Sequence, residues 1–418
     1  MNAGELVRAL RDRHAADWVL TTRDQDVGVV DEDGPVRRRE SRTRWTLVVH
    51  DDVSNGRGSA RVELAGHDGP ATALVDQTLR LARAAVGVGW RSLPQAAPAK
   101  VELRDPALDV DDIDGAAADV LRGVPRPGDA RVSASATVMR ERVTVETKQG
   151  LRTSWTATHA RVALAISRGD HSLAIAREAR RAGALDLADA VESALADLAA
   201  RGDAGAPVGG PCRLRLGADA LLHGGGYGMW QVFASQADAV VERQGLTRYR
   251  EGMLVAPGAD QVTDPLAIAS DGARDYGALS APVGDDGDAV RRFAIVDRGA
   301  AAGLALGPRE AALRKREPNG GLRDLVVSLG SAGDDDGGVV ELRRLRSLAI
   351  DRYTGEASLE IGLAIDRRGA TPRAFAGGTV RLDLVAALAR ARRAPGQLVR
   401  GPYAGPAHVT IDDAEVVV

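Results

Sequence analysis

The sequence predicts an α+β protein: an N-terminal half of antiparallel strands plus helices, in two repeated units, and a mostly β C-terminal half built as a barrel or sandwich. Three observations predict it. Apolar and polar residues alternate over many short runs, two sets of runs in the first half each end in a helical stripe, and mainly strand-like runs follow a Gly/Pro-rich segment at 201–211. Period-two alternation indicates half-buried strands, whereas apolar spacings of three and four indicate an amphipathic helix. Strand runs followed by helices favour an α+β architecture.

The first elements are a helix and a set of strands. Leu6, Val7 and Leu10 lie on one side of the N-terminal helix, with His14 a further candidate for that face. Alternating residues predict strands at 45–49 and 60–64. Apolar residues spaced by four, three and four then predict a helix that packs on those strands: Val75, Leu79, Ala82 and Val86.

The same order occurs a second time. Alternation predicts strands at 132–138, 143–145 and 162–166, with a turn at 148–150, and a helical stripe follows at Leu187, Val191, Leu195 and Leu198. The two units share a similar pentapeptide, RTRWT at 42–46 and RTSWT at 152–156. Its position after a turn in each unit favours an internal duplication.

The Gly/Pro/Ala-rich segment at 201–211 is the best domain boundary in the chain, because such composition is typical of an interdomain crossing. We expect one domain at 1–205 and another at 206–418. In the second, helices are predicted within 218–241 and at 384–393. Strands are predicted at 213–216, 293–296, 325–329, 339–342, 345–350, 357–365, 379–382 and 409–411.

Composition excludes several classes of protein. The 55 Lys+Arg and 58 Asp+Glu give a formal charge of −3, which offers no basic surface for nucleic acid. The single cysteine, Cys212, cannot form an intramolecular disulfide, so a reducing, cytoplasmic setting is expected. No apolar run reaches the length of a membrane span, and the first residues lack the continuous apolar stretch of a signal peptide.

No catalytic or metal-binding constellation emerges from the residues alone. None of the seven histidines has the spacing of a helical metal pair, and His50 is expected in a solvated loop. His223 precedes three glycines, and this HGGG sequence is the motif that forms the oxyanion hole in some esterases. That interpretation needs a G-x-S-x-G segment, and the nearest one, at 330–333, has the wrong spacing. The alternative is a Gly-rich turn that opens a helix, with His223 capping or packing.

The second half resembles the TldD/PmbA family of zinc-peptidase subunits. Short motifs carry the resemblance by their order: the strand and helix entry at 212–230, DDG at 285–287, REPNGG at 316–321, TGEASLEIG at 354–362 and GGTVRLDL at 377–384. The first half fits the family's two sets of strands and helix more loosely. In the catalytic TldD-type subunit, two histidines of an H-E-x-x-x-H helix and a distant cysteine hold zinc.

This chain departs from that metal motif and resembles the PmbA (TldE) type instead. His223 matches the first histidine, Gly224 stands at the glutamate, Gly228 stands at the second histidine, and no cysteine occurs at 354–367. The resemblance therefore implies no catalytic and no metal-ligating residue here, with zinc carried by a TldD-type partner. It implies a non-catalytic subunit that helps to bind and enclose unfolded or precursor peptides.

The hypothesis places a peptide or partner cleft in the second half, lined by His223, Tyr227, Trp230, Arg316 and Asn319. Trp230 has an equally supported alternative as a core residue, because large apolar groups are usually buried. Two other functions stay open at this point. One is a stand-alone peptide-binding or scaffold protein of the same fold, and the other is an independent hydrolase built on His223.

Overall fold

The computed structural model describes residues 2–32, 37–54, 56–65, 69–91, 96–331 and 337–418. Within these ranges the helices are α1 Ala3–Asp12, α2 Ala71–Ala84, α3 Ile113–Arg122, α4 Leu187–Gly202, α5 Ala218–Leu221, α6 Gln231–Gln236, α7 Ala239–Arg243, α8 Pro308–Leu313 and α9 Leu384–Arg390. The first-half strands are β1 Asp17–Asp31, β2 Arg37–Val53, β3 Gly56–Ala65, β4 Val86–Gly87, β5 Arg131–Thr147, β6 Arg152–Arg168 and β7 His171–Ala179. The second-half strands are β8 Gly210–Leu216, β9 Ile268–Asp271, β10 Phe293–Asp297, β11 Ala300–Ala301, β12 Asp324–Val327, β13 Val339–Ile350, β14 Glu356–Asp366, β15 Arg373–Phe375, β16 Thr379–Asp383, β17 Arg392–Arg393, β18 Gln397–Arg400, β19 Tyr403–Pro406 and β20 Val409–Val417.

The first half is one antiparallel sheet with the strand order β4-β3-β2-β1-β5-β6-β7, as the alternation predicts. Helices cover one face of it and bury most of the predicted apolar stripes, but Val86 lies beyond α2 in β4 and is 44% exposed. In α1, Leu6 and Leu10 are fully buried, and Asn2 and Glu5 form a capping box that satisfies backbone N–H groups at the helix start. His14 lies beyond the end of α1 and is exposed, so it does not extend the apolar face.

The strand order supports two repeated units, because β1–β3 with α2 and β5–β7 with α4 flank the central β1·β5 pairing. The shared pentapeptides are not equivalent within them, however. Trp45 packs against the cluster beneath α1 and α2, whereas Trp155 packs on the opposite face with Val143 and Val145. Because neighbouring residues of a strand point to opposite faces, the two motifs are out of step by one residue.

Helix α3 was not predicted from the sequence. The Asp112 side chain caps it by accepting a hydrogen bond from the Gly115 N–H at 3.1 Å, and Ile113, Ala117 and Val120 are buried against β1 and β5. The helix has ten residues, and two of its four buried residues are alanine. Its hydrophobic periodicity is therefore weak.

His50 is a buried strand residue, and its assignment to a solvated loop is wrong. It lies in β2 with 6% of its surface exposed, and its Nδ1 is 2.8 Å from the Ser59 hydroxyl. Its ring meets Trp90 edge-on at 4.9 Å, and the Arg57 guanidinium lies 4.4 Å from the centroid of the same indole. Arg57 in turn pairs with the fully buried Asp17. Burial, reinforced by the charge of Arg57, lowers the pKa of His50 to about 4.

This burial predicts a loss of stability in mild acid. Between pH 6.5, where a free histidine gains its proton, and about pH 4, only the unfolded chain takes up that proton. The free energy of unfolding should therefore fall by about 1.4 kcal/mol per pH unit in this window from His50 alone. Urea unfolding at pH 7, 6 and 5 measures the slope, and a His50→Gln variant should be less steep by that amount. Equal slopes in the two proteins would contradict the prediction.

The second half contains a closed barrel, as the short strand runs predict. Its strands follow the order β13-β8-β20-β16-β14, and β14 pairs again with β13, which completes the ring. The runs predicted at 339–342 and 345–350 are one strand, β13, with register shifts in between. A second sheet, β11-β10-β9-β12-β19-β18, shares the large hydrophobic core of this half. No helix in the described ranges is long and apolar enough to cross a membrane.

The two halves contact each other through polar and apolar groups. The Arg180 guanidinium donates to the carbonyl oxygens of Gly277 at 2.6 Å and Ala278 at 2.9 Å. Asp197 of α4 accepts from Arg343 and Arg344 of β13 at 3.0 and 2.6 Å. Together with the apolar cluster that includes both β5 and the loop before β10, these contacts join the halves independently of the segment that links them.

We expect a low dose of protease to cut the chain first within residues 203–209, since most of this segment is exposed between α4 and β8. The cut protein should remain one particle, because the contacts between the halves do not involve the segment. Denaturing gels would show two fragments, and size exclusion would show one peak at the uncut position. First cutting within 132–166, or separation of the fragments without denaturant, would contradict this expectation.

Candidate functional site

The His223 segment forms a turn. Helix α5 ends at Leu221 after a single turn, and Gly224, Gly225 and Gly226 all have left-handed backbone angles between +57° and +79°. Gly228 also has a positive φ, and a Cβ there would collide with the Leu221 carbonyl oxygen. Only glycine adopts this run of conformations without strain. A regular helix therefore does not continue through the positions that the resemblance compares with a metal-binding helix.

This turn borders a pocket of about 360 Å³. Its other wall comes from the end of β13 and the turn after it, so the fold brings together segments that are far apart in sequence. The lining consists of His223, Gly224, Gly225, Gly228, Gln231, Val232, Leu348, Ile350 and Arg352. Of the five residues in the sequence-based cleft, this lining contains His223 alone.

Trp230 is a core residue, and its assignment to the cleft is wrong. Its exposed surface is 0%. The indole stacks on Tyr403 with ring centroids 6.3 Å apart and also contacts Phe233 at 6.1 Å. Tyr227 is partly buried, and its hydroxyl donates to the Arg323 carbonyl oxygen at 2.6 Å. Burial raises the pKa of Tyr227 above its ordinary value, so it stays protonated and holds that backbone.

Arg316 and Asn319 make contacts that hold loops of the second half in place. The Arg316 guanidinium forms a two-point contact with the Glu251 carboxylate at 2.6 and 2.7 Å. Asn319 donates to the Leu304 carbonyl oxygen and accepts from the Leu306 N–H, both at 2.9 Å. Neither residue belongs to the lining of the His223 pocket.

The side chains at the His223 turn do not fit a zinc ion. Zinc sites in proteins need at least three nitrogen, sulfur or oxygen ligands, and the turn supplies one imidazole among glycines. Across the ranges given above, no three His, Cys, Asp or Glu side chains are grouped to hold a metal. Cys212 lies buried in β8, where burial raises its thiol pKa.

An open groove of about 1360 Å³ continues from the pocket. The two share Ile350 and Arg352, so they form one surface along the β13–β14 hairpin. Leu246 and Tyr353 line the groove and are 48% and 41% exposed. Exposed apolar residues in a concave surface mark it as a candidate binding site.

Two aspartates of the 285–288 turn accept hydrogen bonds that hold neighbouring loops. Gly287 contacts the first half, since a Cβ there would lie 2.7 Å from a methyl group of Thr147. Asp285 accepts from Arg323 at 3.2 Å, and Asp288 accepts from the Gly320 N–H at 3.2 Å. Burial, with the nearby charge of Asp286, raises the pKa of Asp288 to about 7. This turn fixes the contact between the halves.

Sequence reasoning missed Arg352, Leu348 and Ile350 at the pocket. The segment around Arg352 has the composition of an ordinary hairpin turn, DRYTG at 351–355, and no local signal connects it with the glycine run. Only the pairing of the barrel strands brings the two together.

No protein-family model and no curated protein sequence matches the chain. Solved structures do share its fold. TldE from Thermococcus kodakarensis is 14% identical with a TM-score of 0.73, and the match covers 100% of both chains. A protein described as a candidate modulator of a DNA gyrase, from Thermotoga maritima, is 13% identical with a TM-score of 0.73 over 99% of both chains. Another, from Bacteroides thetaiotaomicron, is 13% identical with a TM-score of 0.72, covering 96% of this chain and 94% of its own. The resemblance to TldD/PmbA proteins is thus confirmed at the level of the fold, over the whole chain.

Proposed function

We propose that this chain is the non-catalytic subunit of a two-subunit zinc peptidase, which pairs with a TldD-type subunit and helps to enclose unfolded peptides for cleavage. The observation that carries the proposal is the full-length likeness to the fold of TldE. The order of the sequence motifs supports the same assignment, since Gly228 stands at the second histidine of the zinc motif and Gly224 at its glutamate.

The proposal divides the chemistry between two chains. A peptidase zinc needs three protein ligands and a base that acts on its bound water, and the His223 turn offers one imidazole and no carboxylate. The partner would hold the metal, and this chain would contribute part of the surface that binds the peptide. The pocket and groove suit an extended peptide, because shallow apolar contacts and main-chain hydrogen bonds give affinity with little dependence on sequence.

The alternative is a stand-alone peptide-binding or scaffold protein of the same fold. The same groove would serve in that case, so the two functions differ only in whether a partner is required.

Co-expression with an H-E-x-x-x-H homologue from the same genome tests the proposal. We expect a stable complex that holds about one zinc per pair and cleaves an unfolded peptide until a chelator is added, with no zinc on this chain alone. A His223→Ala variant should leave the zinc content of the complex unchanged. Failure to form a complex, with peptide binding retained, would favour the stand-alone function, and zinc on the isolated chain would contradict both.

A further inference from the structure

Arg352 carries a charge that the described part of the molecule does not neutralise. Its guanidinium has no ion pair and no hydrogen bond to any described residue, and the side chain is exposed on the hairpin turn. Arg248, which lines the same groove, is already engaged: its guanidinium pairs with Asp383 at 3.1 Å and donates to the Thr354 carbonyl oxygen. Arg352 is therefore free to bind a ligand.

Three further donors border the same pocket. The His223 imidazole and the Gln231 amide have no side-chain partner among the described residues, and the Gly224 N–H donates to no acceptor there. A Cβ at Gly224 or Gly225 would meet nothing within 4 Å, so a ligand can approach this backbone closely. Imidazole and amide groups each donate hydrogen bonds, and a guanidinium offers a planar pair of donors.

The pocket contains no acidic side chain to compete for these donors. In the adjoining groove, Asp351 accepts from the N–H groups of Tyr353 and Thr354, and Asp383 accepts from Arg248; Glu356 also lines the groove but lies outside the pocket. Val232, Leu348 and Ile350 form an apolar wall, which keeps water from one side and strengthens an ionic hydrogen bond. A cationic group, further hydrogen-bond donors and no acidic side chain in the pocket lining constitute a site for a carboxylate.

We infer that the His223–Arg352 pocket binds a carboxylate of the extended peptide that lies in the adjoining groove. The carboxylate accepts the paired N–H groups of Arg352 and a further hydrogen bond from His223 or Gly224, while the peptide continues past Ile350 over Leu246 and Tyr353. The inference deepens the proposed function, because it concerns the peptide that this subunit is proposed to enclose. Two sources share this chemistry, namely the C-terminal carboxylate of a peptide and an Asp or Glu side chain.

Fluorescence anisotropy with the full-length chain tests the inference with three labelled ten-residue peptides. The first has only uncharged side chains and a free C-terminal carboxylate, the second is the same peptide with an amidated C-terminus, and the third is amidated but carries a central glutamate. We expect the amidated, carboxylate-free peptide to bind about tenfold more weakly than at least one of the others, since a hydrogen bond between charged groups contributes on that scale. The peptide that binds best identifies the source of the carboxylate.

Variants locate the effect. Arg352→Gln should abolish the preference for a carboxylate, and Arg352→Lys should retain part of it, because lysine keeps the charge without the planar pair of donors. Arg381→Gln is the matched control: it removes one exposed charge from the groove but lies outside the pocket, so it should keep the preference.

Three outcomes overturn the inference: equal binding of all three peptides, an unchanged preference in Arg352→Gln, or no binding at millimolar peptide. These outcomes are separable from failure of the proposed function. Complex formation with the zinc-bearing homologue uses no added peptide, so it can succeed where the pocket fails.

Discussion

Replacing Trp230 by alanine should lower the free energy of unfolding by about 3–5 kcal/mol, the range for removal of a buried large aromatic side chain. The indole is fully buried, stacks on Tyr403 and contacts Phe233. Its removal would leave a cavity in the hydrophobic core of the second half, beside the Gly-rich turn. Urea unfolding of the parent protein and of the Trp230→Ala variant, monitored by circular dichroism, measures the difference in the free energy of unfolding.

Tyr353→Ala is the control for that experiment. Tyr353 is 41% exposed on the groove, so its loss should change stability by less than about 1 kcal/mol. Trp230→Phe should lie between the two, because it keeps part of the buried ring. If Trp230→Ala unfolded at the same urea concentration as the parent, the core assignment would fail and the cleft assignment would have to be restored.

Replacing Asp219 by alanine should also destabilise the protein, by about 3 kcal/mol, because it leaves Arg177 and Arg400 of a largely buried ionic network without a carboxylate, although Arg344 keeps its pair with Asp197. The Asp219 carboxylate, in α5, forms ion pairs with Arg344 at 2.8 Å, with Arg177 at 3.5 Å and with Arg400 at 2.5 Å. Burial alone would raise the pKa of this carboxyl, but the charges of Arg344, Arg400 and Arg177 outweigh it and hold the pKa below the ordinary value. The carboxylate is thus ionised at neutral pH and joins β7 of the first half to β13 and β18 of the second.

A matched control separates this network from ordinary surface pairs. Asp412 accepts from Arg392 at 2.6 Å, but the two side chains are 53% and 40% exposed, so Asp412→Ala should cost less than about 1 kcal/mol. Asp219→Asn should fall between the two, since it retains an acceptor without the charge. Chemical unfolding of all three variants at pH 7 makes the comparison. Equal effects of the two alanine variants would show that the Asp219 network contributes little.

Local pattern was sufficient for most of the secondary structure. The stripe of Leu6, Val7 and Leu10 became α1, and the alternating runs became strands because each needs only one buried face. Helix α3 was not predicted because half of its buried residues are alanine, which gives little hydrophobic contrast with the exposed face. The two Trp pentapeptides are not equivalent in the sheet, for a different reason. A sequence match does not fix which face of the strand a residue occupies, and an offset of one residue places Trp45 and Trp155 on opposite faces.

The site was less accessible to sequence reasoning. The turn at His223 could be anticipated, because consecutive glycines favour left-handed backbone. Its partner Arg352 could not, since the pairing of barrel strands alone decides which distant hairpin faces the turn. Arg316 and Asn319 were chosen for their chemistry, yet both are occupied by loop contacts that no local pattern reveals.

The closed ring of barrel strands has a consequence for how the chain folds during synthesis. The first strand of the ring, β8, pairs with the last, β20, so that Leu214 lies opposite Ile411. Until the final strand has left the ribosome, β8 keeps one side of its backbone unpaired, and pairings between distant segments are slow to form. The antiparallel sheet of the first half is complete long before, because all of its strands lie between Asp17 and Ala179. The sheet of the first half can thus form before the barrel closes. We expect aggregation during synthesis to start from the second half, whose strand edge stays unpaired until the last strand is made.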